Sequence, residues 1–228
     1  MTLRLAPLAR GGVAREVTTA IVVIAVLFAS ACSKSSTPTV PPPQPAAAPA
    51  QSTAPGTVTG TAPAPQSGAA VIVALEPAAE REFPPQSEAP IMDQVGQTFG
   101  PAVLIVRTGQ PVEFRNSDDT LHNVHVSNEQ TRGDAFNIAI PTGSSYAFRF
   151  PSDGFYHVGC DIHPAMSAEI FSTSTPYATL ADAGGRFELD NVAPGAYRLT
   201  VFANGKKSQR DVEVRGAAVE IDAKSESR

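Results

Sequence analysis

The stretch that decides the fold is Cys160–Met166, with the sequence CDIHPAM. It places a thiol, an imidazole and a thioether at three-residue intervals, on Cys160, His163 and Met166. A second imidazole, His122, stands about forty residues upstream. One cysteine, two histidines and a weakly held methionine form a donor set that tolerates both Cu(I) and Cu(II). These residues therefore predict a copper site of the electron-transfer kind.

Short alternating runs surround these residues. Apolar and polar residues alternate before Cys160, which places Tyr156, Val158 and Cys160 on one face of a predicted strand. Gly (17) and Pro (21) are frequent, Trp is absent, and few stretches have helical periodicity. Turns about every ten residues are typical of a β-sandwich. The chain is therefore predicted to be all-β.

Residues 79–172 resemble a plastocyanin/azurin-family cupredoxin, which is a Greek-key β-sandwich, and are closest in motif to the amicyanin type. The C-x-x-H-x-x-M spacing and the run HNVH at residues 122–125 carry the resemblance. It implies one type 1 copper ion with four ligands, which are His122, Cys160, His163 and Met166.

The resemblance also implies roles around the ligands. Asn123 matches a residue whose backbone N–H typically donates to the thiolate, and Pro164 matches the proline after the loop histidine. Ile162 stands where the family often has a further proline, a departure that affects loop stiffness and potential. The alternative is a buried free cysteine with incidental histidine and methionine neighbours.

Three other residues near the motif are predicted to lie outside the ligand set. Strand alternation turns His125 and His157 to the opposite face from His122 and Cys160, although a second, weaker metal site using them stays open. Asp118 precedes His122 in a predicted turn, and turn formation is its expected role.

A second resemblance flanks the first. The runs GTVTG (56–60), GAAV (68–71), DAGGRFEL (182–189) and PGAYRL (194–199) resemble the carboxypeptidase regulatory-like domain. That family is a small transthyretin-like, carbohydrate-binding-like β-sandwich. We predict one discontinuous domain from residues 57–78 and 173–224, with the copper domain at 79–172 inserted. Alternatively, residues 57–78 supply the first strand of the copper domain.

The N-terminus is predicted to be a targeting segment. Arginines precede the apolar run at residues 20–28, and small residues then lead to Cys32. This layout resembles a bacterial lipoprotein signal peptide at residues 1–31, with Cys32 as the lipidated residue; an ordinary signal with an incidental cysteine is the alternative. The Pro/Ala-rich residues 32–56 are predicted to form an extended tether. The expected location is therefore the periplasmic side of a bacterial membrane, lipid-anchored.

Composition and net charge narrow the range of possible functions. The net charge is −5 without a basic run, which argues against nucleic acid binding. All four histidines lie between residues 122 and 163, too few for an additional catalytic copper, so no enzyme activity is expected. The leading hypothesis is single-electron transfer with redox protein partners in the periplasm. The alternatives are a copper carrier or sensor without a redox partner, and a carbohydrate-binding or adhesion module.

Overall fold

The computed structural model describes residues 54–216 and 218–224. All of the described residues belong to one compact unit. The predicted signal peptide, Cys32 and the tether up to residue 53 lie outside the described residues. No helix in the described ranges is long and apolar enough to span a bilayer.

The described chain is built from sixteen β-strands, which confirms the predicted all-β class. In chain order they are β1 (Gly56–Thr61), β2 (Ile72–Pro77), β3 (Ile91–Val95), β4 (Thr98–Gly100), β5 (Val103–Arg107), β6 (Pro111–Asn116), β7 (His122–Asn128), β8 (Asp134–Ile140), β9 (Ser145–Arg149), β10 (Gly154–Gly159), β11 (Ser167–Thr173), β12 (Ala178–Leu180), β13 (Arg186–Val192), β14 (Gly195–Ala203), β15 (Lys206–Val214) and β16 (Val219–Asp222).

The first pair of sheets contains β3 to β11. One sheet has the order β4-β3-β6-β9 and the other the order β5-β11-β10-β7-β8. The inward residues of both sheets share one core, in which Phe114, Tyr156 and Val158 are at most 1% exposed. Period-two alternation delivers these side chains to the same side, because successive strand residues point to opposite faces. The same alternation carries the chain into the interior at Cys160, which is 4% exposed.

The second pair of sheets contains β1, β2 and β12 to β16. Its sheets have the orders β13-β1-β16 and β12-β2-β14-β15, around a core of their own. Gly60 is required in β1, because a Cβ there would overlap the carbonyl oxygen of Ile221 and lie 2.6 Å from Cζ of Phe187. The two strands before residue 78 thus pair only with strands after residue 177. The assignment of these sheets to named domains stays a prediction.

The two pairs of sheets meet through aromatic side chains. Phe155 on β10, Phe171 on β11 and Phe202 on β14 stack with ring centroids 4.9–5.2 Å apart. These rings pack against Ile72 and Ala74 of β2, which are at most 2% exposed. The outer face of the five-stranded sheet is therefore covered near Phe155, whereas its other end lies beside Cys160.

Candidate metal centre

Two strand ends and one loop bring together three metal-binding side chains. His122 begins β7, Cys160 directly follows β10, and His163 lies in the loop that leads to β11. Nδ1 of His122 is 3.0 Å from Nδ1 of His163, and Sγ of Cys160 is 4.0 and 3.9 Å from these two nitrogens. All three donor atoms lie within 4.8 Å of one another.

These separations fit one metal ion. A point at about 2.1 Å from each nitrogen and about 2.3 Å from the sulfur lies almost in the plane of the three atoms, and those lengths are typical of imidazole and thiolate ligands. His122 is fully buried and Cys160 is 4% exposed, so water hardly competes for the inner donors. Cys160 is a free cysteine, as a thiolate ligand must be. The residues present therefore fit a trigonal sulfur–nitrogen metal site.

Met166 lies next to this group. It is 2% exposed and belongs to the same buried core cluster as Cys160. Its backbone N–H donates to the carbonyl oxygen of His163 at 2.9 Å, which closes a turn in the loop. Pro164 is exposed in that turn and lines a surface cleft together with Cys160 and Met166.

Asn123 fastens the loop to β7. Its Oδ1 accepts hydrogen bonds from the backbone N–H groups of Asp161 (2.7 Å) and Ile162 (3.3 Å), and from the thiol of Cys160 (3.2 Å). Its Nδ2 donates to Asn137 (2.8 Å) and to Asp161 (3.0 Å). The contact with the thiol shown here runs through the side-chain amide. The donation from the backbone N–H of Asn123 to a thiolate, which the resemblance implies, stays a prediction.

Asp118 has a role that the sequence analysis missed. Its carboxylate accepts from the backbone N–H groups of Gly96 (2.6 Å) and Gln97 (2.8 Å), and lies 2.9 Å from Nε2 of His122. The hydrogen bonds from Gln97 and Gly96, followed by that from His122, lower the pKa of Asp118. An ionised carboxylate at Nε2 keeps the proton on that nitrogen and leaves the Nδ1 lone pair for a metal.

His125 and His157 lie outside the three-donor group, on the outer face of the five-stranded sheet. His125 contacts Asp161 through Nδ1 and Asp134 through Nε2, both at 3.0 Å. The hydrogen bond to Asp161, followed by the contact with Asp134, raises the pKa of His125. His157 is exposed.

The end of the molecule that carries the metal-binding group exposes apolar side chains. Leu121 and Ile162 precede the two histidines of the group and are 48% and 47% exposed, while His163 itself is half-buried. Val95, 54% exposed, adjoins the turn whose N–H groups bind Asp118. Among the described residues, four large apolar side chains are exposed, and Val95, Leu121 and Ile162 are three of them.

Comparison with known proteins gives the following similarities. The family described as polysaccharide lyase family 4, domain II (fn3_3) matches residues 131–226. Amicyanin from Paracoccus versutus is 18% identical at a TM-score of 0.35, covering 45% of this chain and 97% of that one. An oxidised point mutant of amicyanin is 22% identical at a TM-score of 0.35, covering 37% of this chain and 82% of that one. The copper-containing nitrite reductase of Thermus scotoductus SA-01 is 27% identical at a TM-score of 0.36, covering 44% of this chain and 26% of that one. No curated protein matches the chain in sequence.

Proposed function

We propose that this chain binds one copper ion in a type 1 site and transfers single electrons. The observation that carries this proposal is the convergence of the His122, Cys160 and His163 donor atoms within 4.8 Å, at a largely buried position. The fourth ligand in the proposal is Met166, which is buried beside Cys160 in the same core. Bound copper supplies the one-electron couple, because sulfur suits Cu(I) and nitrogen suits Cu(II).

The chain's own contribution is to hold the donors in place. Asp118 fixes the orientation and tautomer of His122 from the far side of its ring. Asn123 holds the loop through the N–H groups of Asp161 and Ile162. Because both contacts are made by the chain's own residues, little of the protein has to move when the charge at the site changes. A small rearrangement favours rapid electron exchange.

We propose that electrons leave through His163 to a redox protein in the periplasm. The half-buried ring of His163 lies near exposed Leu121 and Ile162, and an apolar surface of this kind can exclude water from a contact. We also propose that Cys32 anchors the exported chain to a membrane through lipid, which would bring it close to membrane-bound redox partners.

The two cysteines of the chain allow a matched test. The copper-loaded, oxidised full-length protein should show an intense sulfur-to-copper charge-transfer band. Cys160→Ser should abolish that band, whereas Cys32→Ser should leave it unchanged. A colourless wild-type protein that still binds one copper ion would refute the proposal. Reversible reduction with fast electron exchange to a cytochrome would argue against the copper carrier or sensor alternative.

A second candidate function is carbohydrate binding. It is favoured by the match of residues 131–226 to a family named for polysaccharide lyases. That range includes β13 to β16 of the second pair of sheets. Binding of polysaccharides by the metal-free and copper-loaded chain would test it, and an absence of binding to any acidic or neutral polysaccharide tried would count against it.

A further inference from the structure

A second group of polar side chains lies on the outer face of the five-stranded sheet. His125, Asp134, His157 and Asp161 line a cleft of about 530 Å³ whose floor includes Cys160. None of these four side chains belongs to the group formed by His122, Cys160 and His163. The cleft therefore has its own imidazoles and carboxylates.

The two nitrogens of His125 have different surroundings. Nδ1 makes a hydrogen bond with Oδ1 of Asp161 at 3.0 Å, which fixes the orientation of the ring. Asp161 is itself held by the side-chain amides of Asn123 and Asn137, at 3.0 and 2.7 Å. A carboxylate that accepts from one ring nitrogen leaves the lone pair of the other nitrogen available, the usual arrangement behind a metal-binding histidine.

Nε2 of His125 is buried and makes no hydrogen bond, although Oδ1 of Asp134 lies only 3.0 Å away. The N–H direction therefore misses that oxygen. Two ligands of one metal ion are likewise close together without a hydrogen bond between them, since each points at the metal and not at the other ligand. Nitrogen and oxygen ligands at about 2.0–2.1 Å from a metal are about 2.9–3.4 Å apart for ligand angles between 90° and tetrahedral.

His157 offers a second imidazole, which has to turn to join the others, because His122, Cys160 and His163 are the one group of three donors within 4.8 Å of one another among the described residues. Its Nε2 lies 3.5 Å from the position that a Cβ of Gly159 would take. Gly159 is the direct cross-strand partner of His125, so the ring of His157 leans toward His125 over a residue without a side chain. Opposite positions on paired strands have Cβ atoms about 4.5–5.5 Å apart, a distance that an exposed imidazole can span by a rotamer change.

The charge of the cleft favours a cation. Asp134 and Asp161 both contact His125, and neither pairs with a lysine or arginine among the described residues. Two carboxylates thus face one imidazole. We propose that His125, Asp134 and His157 form a second site, for a divalent transition-metal ion such as Zn²⁺ or Cu²⁺, with Asp161 as the positioning residue behind His125.

The test is a titration with Zn²⁺ of the full-length chain that already carries one equivalent of copper. Calorimetry and NMR of the histidine ring nitrogens monitor the binding. One Zn²⁺ per chain should bind, with the largest shift at Nε2 of His125. Asp134→Asn should weaken binding at least tenfold. Asp211→Asn, which removes an exposed carboxylate paired with Arg198, is the matched control and should bind as the wild type does.

Two further variants separate the possible failures. His125→Gln should also lose the zinc ion. If His125→Gln does not fold, the result for Asp134→Asn decides the outcome, because the Asp134 side chain is mostly exposed. If the chain binds no copper, the same titration on Cys160→Ser reports the second site alone, so this inference does not depend on the proposed electron-transfer function. The inference is overturned if no second equivalent binds, or if Asp134→Asn binds Zn²⁺ as tightly as Asp211→Asn.

Discussion

Replacing Asn123 by alanine should damage both the stability of the chain and the metal centre. The side chain is 6% exposed and makes five hydrogen bonds, of which three are 3.0 Å or shorter. A typical intramolecular hydrogen bond contributes about 0.5–1.5 kcal/mol net, so Asn123→Ala should lower the free energy of unfolding by about 2–4 kcal/mol. The loop at Asp161 and Ile162 would also lose its attachment to β7.

The matched control is Asn128→Ala, at the other end of the same strand. Asn128 accepts two backbone hydrogen bonds, from Gln130 and Thr131, in a more exposed turn where water can replace the lost partner. This control should cost about 1 kcal/mol or less. Urea unfolding of the metal-free chain measures the stability, and the absorption spectrum of the copper-loaded chain measures the site. Equal unfolding midpoints for the two variants, with an unchanged spectrum for Asn123→Ala, would refute the role given to Asn123.

Three other substitutions test separate parts of the structure. Asp118→Asn should weaken copper binding about 10–100-fold in competition with a chelator, since it disturbs the carboxylate behind His122, whereas Asp119→Asn should not. Hydrogen bonds from Arg186 and Gly184 lower the pKa of Asp182 below its ordinary value. The stability that ionised Asp182 contributes is thus present above the ordinary pKa and is lost as the pH falls through the lower pKa of the folded state. Asp182→Asn should therefore destabilise the chain at neutral pH and much less in strong acid. An equal loss of stability at neutral and at acid pH would contradict this. Gly60→Ala should lower the free energy of unfolding by about 2 kcal/mol or more. Gly133→Ala, whose Cβ would meet nothing closer than 3.6 Å, should leave it nearly unchanged.

The parts that sequence predicts well are those that depend on local spacing. The alternation of Tyr156, Val158 and Cys160 predicts a strand that delivers the cysteine to the interior, and the structure buries all three. The glycine at position 60 belongs to a recognisable run, and its crowded position explains why no side chain is present. The alternation can be read from the sequence because strand geometry repeats every two residues. The atoms that crowd position 60 belong to Ile221 and Phe187, far along the chain, so that crowding is visible only in the structure.

The parts that sequence did not reveal depend on long-range contacts. Asp118 follows β6, but its partners include Gly96 and Gln97, which reach it through the parallel pairing of β3 with β6. The network around Asp161 joins β7, β8 and the ligand loop, so it requires the register of two strand pairs. A single carboxylate before a histidine is indistinguishable from a turn residue until that register is known.

The central claim is that one copper ion is bound by the thiolate of Cys160 and the imidazoles of His122 and His163. X-ray absorption at the copper edge of the copper-loaded protein tests this most directly, because it counts the atoms bound to the metal. The result predicted here is one sulfur neighbour at about 2.3 Å or slightly less and two nitrogen neighbours at about 2.0–2.1 Å, with the sulfur lost in Cys160→Ser. A first shell of nitrogen and oxygen alone in the wild-type protein would contradict the claim.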